Sequence, residues 1–487
     1  MQITTGVSSS LGINCVFSYA RRCHRIHLIA VLASCLVASV LSADAESAVR
    51  LMPGQNLSAV VNQAPPGTTF VFSAGTYRLN SIVPKVNDVF LGEGTVILSG
   101  AKILEMRQDY RGWSAAASLS TWPEKHCAAT HPLCWVLSDL FIDDHLQTPV
   151  ETLGELGPGR WYYDAGSGKV YISTNPAGHT VELGTTAAAF SGQATGVQIS
   201  HLIVERYASP PEHGAVGGDN GSARGWLISN VEARWNHGSG IAVGPGSRIE
   251  GCNSHHNGEA GLSGHGANIT VQDTEVAYNN LAGYDIGWGG GGAKFSDTTN
   301  LVLRSNYVHD NLGDGLWTDI DNKDTLYEKN RFINNQRAGI HHEISYDATI
   351  RDNLFKGNRV GILIVLSSNV EVYGNVIEVP RNGIEGIRIA TGQRGSGIYG
   401  AHLSHDDYVH NNIIVCLGPN IHDGASGPLV DGANIRFDYN EYHFAGGGQG
   451  HFIWGNNPLS ISEMRKIGMC QHSTVKTDLP AEPDPTR

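Results

Sequence analysis

Basic residues are scarce in this chain. Lysine and arginine number 33 against 46 aspartates and glutamates, for a formal net charge of −13 over 487 residues. A surface of that sign repels phosphate backbones and anionic lipid, so nucleic acid and acidic membranes are excluded as expected partners. It also disfavours a strongly polyanionic substrate and points to a neutral one. Methionine is rare, with 5 residues, whereas glycine is abundant, with 60. That balance speaks against a helical protein and for one built of short strands and many turns.

Long apolar runs are nearly absent too. The one exception is 26–42 (IHLIAVLASCLVASVLS), which follows Arg21-Arg22-Cys-His-Arg25 and precedes Ala43-Asp44-Ala45. A basic front, an apolar middle and a small-residue cleavage site make a secretory signal over 1–45, here with a long front end. A membrane anchor is the alternative, but the run is short for a span and has no basic stop-transfer flank. Leu32-Ala-Ser-Cys35 resembles a lipoprotein cleavage box, with too few apolar residues before it. The expected location is therefore secreted or periplasmic, with no membrane contact after signal removal. Beyond the signal only five cysteines remain, Cys127, Cys134, Cys252, Cys416 and Cys470. Cys127 and Cys134 are close enough in HCAATHPLC to pair in an oxidising compartment, and the odd count leaves at least one free thiol. Cys252 reads as a small buried hydrophobe.

What the chain does have is repetition. Residues 46–101 read as an N-terminal cap and first coils, with Leu57-Ser-Ala-Val-Val-Asn as a short capping helix. Residues 102–185 break the pattern and read as a β-rich inserted subdomain whose Trp161, Tyr162 and Tyr163 belong to its core. From 186 to 430, Gly followed by an apolar residue recurs at Gly240, Gly261, Gly283, Gly315, Gly339, Gly361 and Gly383, mostly 21–24 residues apart. Asn306, Asn330, Asn353 and Asn375 recur with them as turn residues able to bond from coil to coil. Such a period, without helical periodicity or a leucine framework, predicts an all-β fold, a right-handed parallel β-helix. Residues 431–487 read as a C-terminal cap and tail, with a short helix near Leu459–Ile467.

Strand alternation then sorts the repeat positions. The residue after each Gly is apolar (Ile241, Leu262, Leu316, Ile340, Ile362) and faces inward. Positions two, four and six after the Gly face outward. On one coil these are Trp317, Asp319 and Asp321; on the next, His341, Glu343 and Ser345; on the third, Leu363, Val365 and Ser367. His265 takes the fourth position of the Gly261 coil. The insertion around Trp288 leaves the register of Lys294 open, and His342 falls on the inward face. Adjacent strands lie ~4.8 Å apart, so Asp319 and Glu343 should stack at about the ~5–5.5 Å between carboxyl groups that retaining glycosidases use. Asp321, His341, Lys294 and His265 are candidate substrate ligands, and Trp317 and Trp288 offer flat faces of the kind that stack on sugars. Asp319, Asp321, Asn322 and Glu343 form an alternative oxygen set for calcium; no metal or cofactor is required by the hydrolytic reading.

The phrases GLWTD and HHEIS, whose carboxylates stand 24 residues apart, resemble the active-site pair of family 120 glycoside hydrolases, the β-helical β-xylosidases. The resemblance implies that Asp319 is the nucleophile, Glu343 the acid/base, and a carbohydrate the substrate. The insert is similar to the β-rich subdomain of such enzymes. Ile320 stands where the xylosidases tend to have a second Trp, so the likeness bears on reaction type more than on substrate. Two other readings stay open: a polysaccharide lyase or uronate C5-epimerase with Lys294 as base, calcium on Asp319 and Asp321 neutralising the uronate, and a non-catalytic glycan-binding solenoid.

Overall fold

A computed structural model describes residues 48–419, 422–444 and 451–477. The expected signal at 1–45 and the chain after 477 lie outside the described residues. Compactness divides the chain after Arg50, and the unit that starts at Leu51 holds the features that follow. Among the described residues no helix is long and apolar enough to cross a membrane.

The repeat becomes a solenoid of parallel strands. Its inward column runs Ile241, Leu262, Ala293, Leu316, Ile340, Ile362 and Ile387, each paired in register with the next coil. All are buried. Two glycines of the expected series are reassigned by this register. The coil after Gly261 is founded on Gly292, because Ala293 pairs with Leu262, and Gly283 lies in the turn between them with φ +75°. Likewise Ile387 pairs with Ile362, so Gly386, not Gly383, founds its coil. Short excursions at the corners carry decoy glycines that spacing alone accepts.

The asparagines form ladders. Asn306, Asn330, Asn353 and Asn375 are buried, and each takes its backbone N–H and its Nδ2 to the Oδ1 of the next, at 2.9–3.0 Å. The ladder runs on through Asn412 to Asn440. A second ladder, Asn236, Asn257, Asn279, Asn311, Asn335 and Asn358, follows the same rule at another corner. These corners cannot close without satisfying buried amides, and the side chains supply the bonds. Asn330→Ala strips partners from the Asn306 N–H and the Leu303 carbonyl at once. It should cost about 3 kcal/mol in urea unfolding.

The helix Leu57–Gln63, capped by Asn56, buries Leu57 and Val61 as a solenoid cap should. A second, Ile461–Lys466, buries Met464 near the other end. The insert is a separate eight-stranded sheet from Ala101–Ile103 to Val181–Gly184. Trp161 and Tyr163 pack in its core. Cys127 and Cys134 form a disulfide, and Cys252, Cys416 and Cys470 are buried free thiols. The disulfide loop grips the solenoid: Ala128 N–H donates to Gly283 O, Asp285 N–H donates to His126 O, and His237 Nε2 lies 2.8 Å from Cys134 O.

Candidate active site

Strand Ala338–Glu343 pairs in register with Asp314–Asp319, placing Trp317 beside His341 and Asp319 beside Glu343. The expected pair therefore stacks on one outward face. Glu343 is followed in register by Val365, and His341 by Leu363, so the polar cluster ends on that side. On the other side the open question of Lys294 is resolved: it pairs with Trp317, and Ser296 pairs with Asp319. His265 pairs with Ser296, one coil further on. Two outward columns result, Ser263–Lys294–Trp317–His341 and His265–Ser296–Asp319–Glu343.

Each carboxylate of the pair has a cation. Lys294 Nζ lies 3.3 Å from Asp319 Oδ2, and Asp319 is only 8% exposed. Arg394 Nη1 donates to Glu343 Oε1 at 3.0 Å. His341 Nε2 lies 3.4 Å from Glu343 Oε2 but is not aligned for a hydrogen bond. Its Nδ1 is 3.0 Å from the buried carboxylate of Asp314, which also accepts from Arg337 Nη1 at 2.8 Å and from Ala338 N–H at 2.9 Å. Asp314 thus fixes the His341 ring, which in turn faces Glu343.

Several expectations about individual side chains change. Trp317 is no sugar platform. It is 4% exposed, with His341 stacked on its ring at 4.9 Å and Lys294 Nζ 4.6 Å from its centroid. Trp288 is half-buried and carries His126 of the disulfide loop on its ring at 4.1 Å. Asp321 does not continue the outward row. The strand ends at Asp319, and Ile320 and Asp321 take left-handed backbone, φ +65° and +52°, so counting by twos fails there. Ser345 is turned into the solenoid, where it bonds Asn322. Asn322 is itself inward, bonded to Thr298 and Ser345, so it does not join Asp319 and Asp321 as an oxygen ligand. Among the described residues no group of three or more His, Cys, Asp or Glu side chains is arranged to hold a metal ion. His342 is fully buried against Thr318, as its inward position required, and burial pushes its pKa down to about 3.

Three features were not read from the sequence. Asp314 was missed because positions were counted forward from Gly315, and Asp314 is the first residue of the same strand, just before that glycine. Asp297 lies 3.6 Å from His265, its carboxyl raised by burial, with the Asp321 and Asp319 charges adding and His265 opposing. The third is a hairpin, Gln393–Gly397 and Gly400–Leu403, that borders the site. It supplies Arg394, and it holds Asp321: Ile398 N–H donates to Oδ2 at 3.0 Å, and His402 Nε2 lies 2.8 Å from Oδ1. Tyr346 OH donates to Gly400 O at 2.8 Å. A Cβ at Gly397 would meet Asp321 Oδ1 at 1.6 Å. Gly397→Ala should therefore lift the hairpin, seen as faster amide exchange over 393–403, while exchange in the Asp314–Asp319 strand stays slow.

A family model described as "Right handed beta helix region" matches residues 214–377. The solenoid is a right-handed parallel β-helix. Among solved structures, a complex of XylC with xylose aligns at 14% identity over 88% of this chain and 83% of the other, TM-score 0.66. The A-module of the Azotobacter vinelandii mannuronan C-5 epimerase AlgE6 aligns at 14% identity over 88% and 94%, TM-score 0.47. A protein named only as a glycoside hydrolase aligns at 11% identity over 89% and 98%, TM-score 0.40. At these identities the likeness concerns the fold. No curated protein matches the chain.

Proposed function

We propose that this protein is an exported retaining glycoside hydrolase acting on a neutral glycan or oligosaccharide, similar in reaction to the β-helical β-xylosidases of family 120. The observation that carries this reading is the in-register stacking of Asp319 and Glu343 on one outward face. One strand spacing, ~4.8 Å, suits the ~5–5.5 Å of a retaining pair and falls short of the ~6.5–9.5 Å that an inverting pair needs to admit water. The fold shared with XylC, whose structure is of a complex with xylose, is consistent with it.

In this reading Asp319 is the nucleophile. Lys294 Nζ stands 3.3 Å from its Oδ2 and holds it in place. Glu343 is the acid/base. Arg394 Nη1 pairs with its Oε1. A leaving-group oxygen that takes the place of Arg394 comes within reach of Glu343, which gives it a proton as the glycosidic bond breaks. His341, fixed by Asp314, stands beside the other oxygen and can support Glu343 in its later role as base.

Proton NMR during hydrolysis of a pure-anomer aryl glycoside tests the stereochemistry. The first sugar formed should keep the starting configuration; an inverted product overturns the mechanism. The lyase or epimerase reading is less supported, because Lys294 faces Asp319 and also donates to Trp288 O, which keeps the ammonium paired. An unsaturated uronate product would revive it. A purely binding solenoid is the outcome if Asp319→Asn matches wild type in every assay.

A further inference from the structure

One coil before Lys294, on the same face, is a recess of about 10 Å³. That is about the space one water-sized oxygen needs. Glu259, Ser263, Asn220, Ser239, Lys294 and Ser296 line it. Ser263 is 3% exposed, yet its Oγ has no hydrogen-bond partner, and the buried Oδ1 of Asn220 has none either. Buried polar atoms of this kind call for a partner that is missing from the chain itself. Glu259, 1% exposed, accepts from Glu212 N–H at 2.6 Å and from Ser239 Oγ at 3.3 Å. Burial pushes its pKa up to about 8, so at neutral pH it is an acid able to donate.

The recess is not an isolated void. Ser263 heads the outward column that continues through Lys294, Trp317 and His341. Trp317 Nε1 and His341 Nε2 are buried and unpartnered as well. Three of the four residues in this column thus present an unused polar atom, and the fourth, Lys294, bonds Asp319. The column lies directly beside the one that holds the carboxylate pair.

We propose that the Ser263–Asn220–Glu259 recess binds one hydroxyl of the sugar seated at Asp319, and so selects among neutral sugars by the position of that hydroxyl. This rests on the glycosidase reading only for where the sugar sits. A hydroxyl matches the lining: its proton goes to Asn220 Oδ1, and its lone pairs accept from Ser263 Oγ–H and from Lys294 or the Glu259 acid. A methylene or a carboxylate does not, the first for want of polarity and the second for want of room.

The test is calorimetric binding of D-xylose and D-glucose, each with its complete set of mono-deoxy derivatives, to wild type, Ser263→Ala and Asn220→Ala. One deoxy derivative should bind wild type about 10-fold more weakly than its parent. Ser263→Ala should weaken the parent by a similar factor and leave that derivative unchanged, a coupling that a merely structural serine does not produce. Asn220→Ala should behave alike. Equal weakening of parent and every derivative, no effect of either variant, or no binding by any sugar overturns the proposal and leaves the recess as the seat of a structural water. Binding with this pattern, together with no hydrolysis of the aryl glycosides of the sugars that bind, would keep the recess assignment and sink the glycosidase reading instead.

Discussion

Asp319→Ala should abolish turnover of an aryl glycoside substrate, with kcat falling on the order of 10⁴-fold or more. The fold should persist with a lowered thermal midpoint, because loss of this largely buried carboxylate leaves Lys294 without its anion. Glu343→Ala should behave differently. Its loss should be large for a poor leaving group and small for an activated phenol that departs without a proton, since only the acid step is crippled. Added azide then separates the roles. With Glu343→Ala it should restore activity and give a glycosyl azide of retained configuration; with Asp319→Ala any azide product should be inverted. Exchanged outcomes would exchange the assignments. Equal, small losses in both variants would remove the carboxylates from the chemistry altogether.

Stability should fall as pH rises from about 6.5 to 8. Glu259 and Asp423 are buried acids whose pKa values burial raises to about 8 and about 7. The unfolded chain ionises them near pH ~4, so between there and their folded values the native state binds more protons. Stability must decline with pH across that interval. Two histidines act in the opposite sense at lower pH. Burial holds His342 at about 3 and His256 at about 4, so each favours the folded state less as pH falls below the unfolded value of ~6.5. Between about pH 4.5 and 6.5 the acids and these histidines oppose one another. Above about 6.5 the two histidines are past their unfolded midpoint and together contribute less than about 1 kcal/mol, so the acids set the sign of the slope. The Glu259 contribution over the interval from about 6.5 to 8 is on the order of 2 kcal/mol. Calorimetric Tm across this range should therefore drop for wild type. Glu259→Gln, neutral at every pH, should show a distinctly shallower drop. An unchanged slope in that variant would mean that Glu259 is ionised in the folded chain.

Much of the architecture could be read from the chain because a solenoid is nearly one-dimensional. The Asn306-to-Asn375 spacing, the apolar residue after each glycine and the carboxylates at matched positions are local signals, and neighbouring coils repeat them. The pairing of Asp319 with Glu343 follows from periodicity alone. What periodicity cannot supply is the direction of a residue at a bend, or the identity of a neighbour from another part of the chain. Asp321 lies in such a bend, and Asp314 stands just before the glycine from which the outward positions are counted. Trp317 was misread because alternation gives the side on which a ring lies, and the cover on that ring comes from Lys294 and His341. Arg394 reaches Glu343 from 51 residues away and Ile398 meets Asp321 from 77, both from a hairpin that carries no repeat signature. Gly283 and Gly383 misled for a related reason: corner excursions use glycine as freely as strands do.

The asparagine ladders have a consequence for how this chain can vary. A residue added beside a ladder asparagine would displace its bonds to the neighbouring rungs, whereas length added between rungs is absorbed: successive asparagines are 21 to 37 residues apart with the file intact. The excursions at 280–290 and 391–404 lie outside the ladders, and both border the groove, through Trp288 on one side and Arg394 and His402 on the other. Loop grafts at these two places should alter which ligand fits without disturbing the spacing of the acids beneath, a chassis with exchangeable walls.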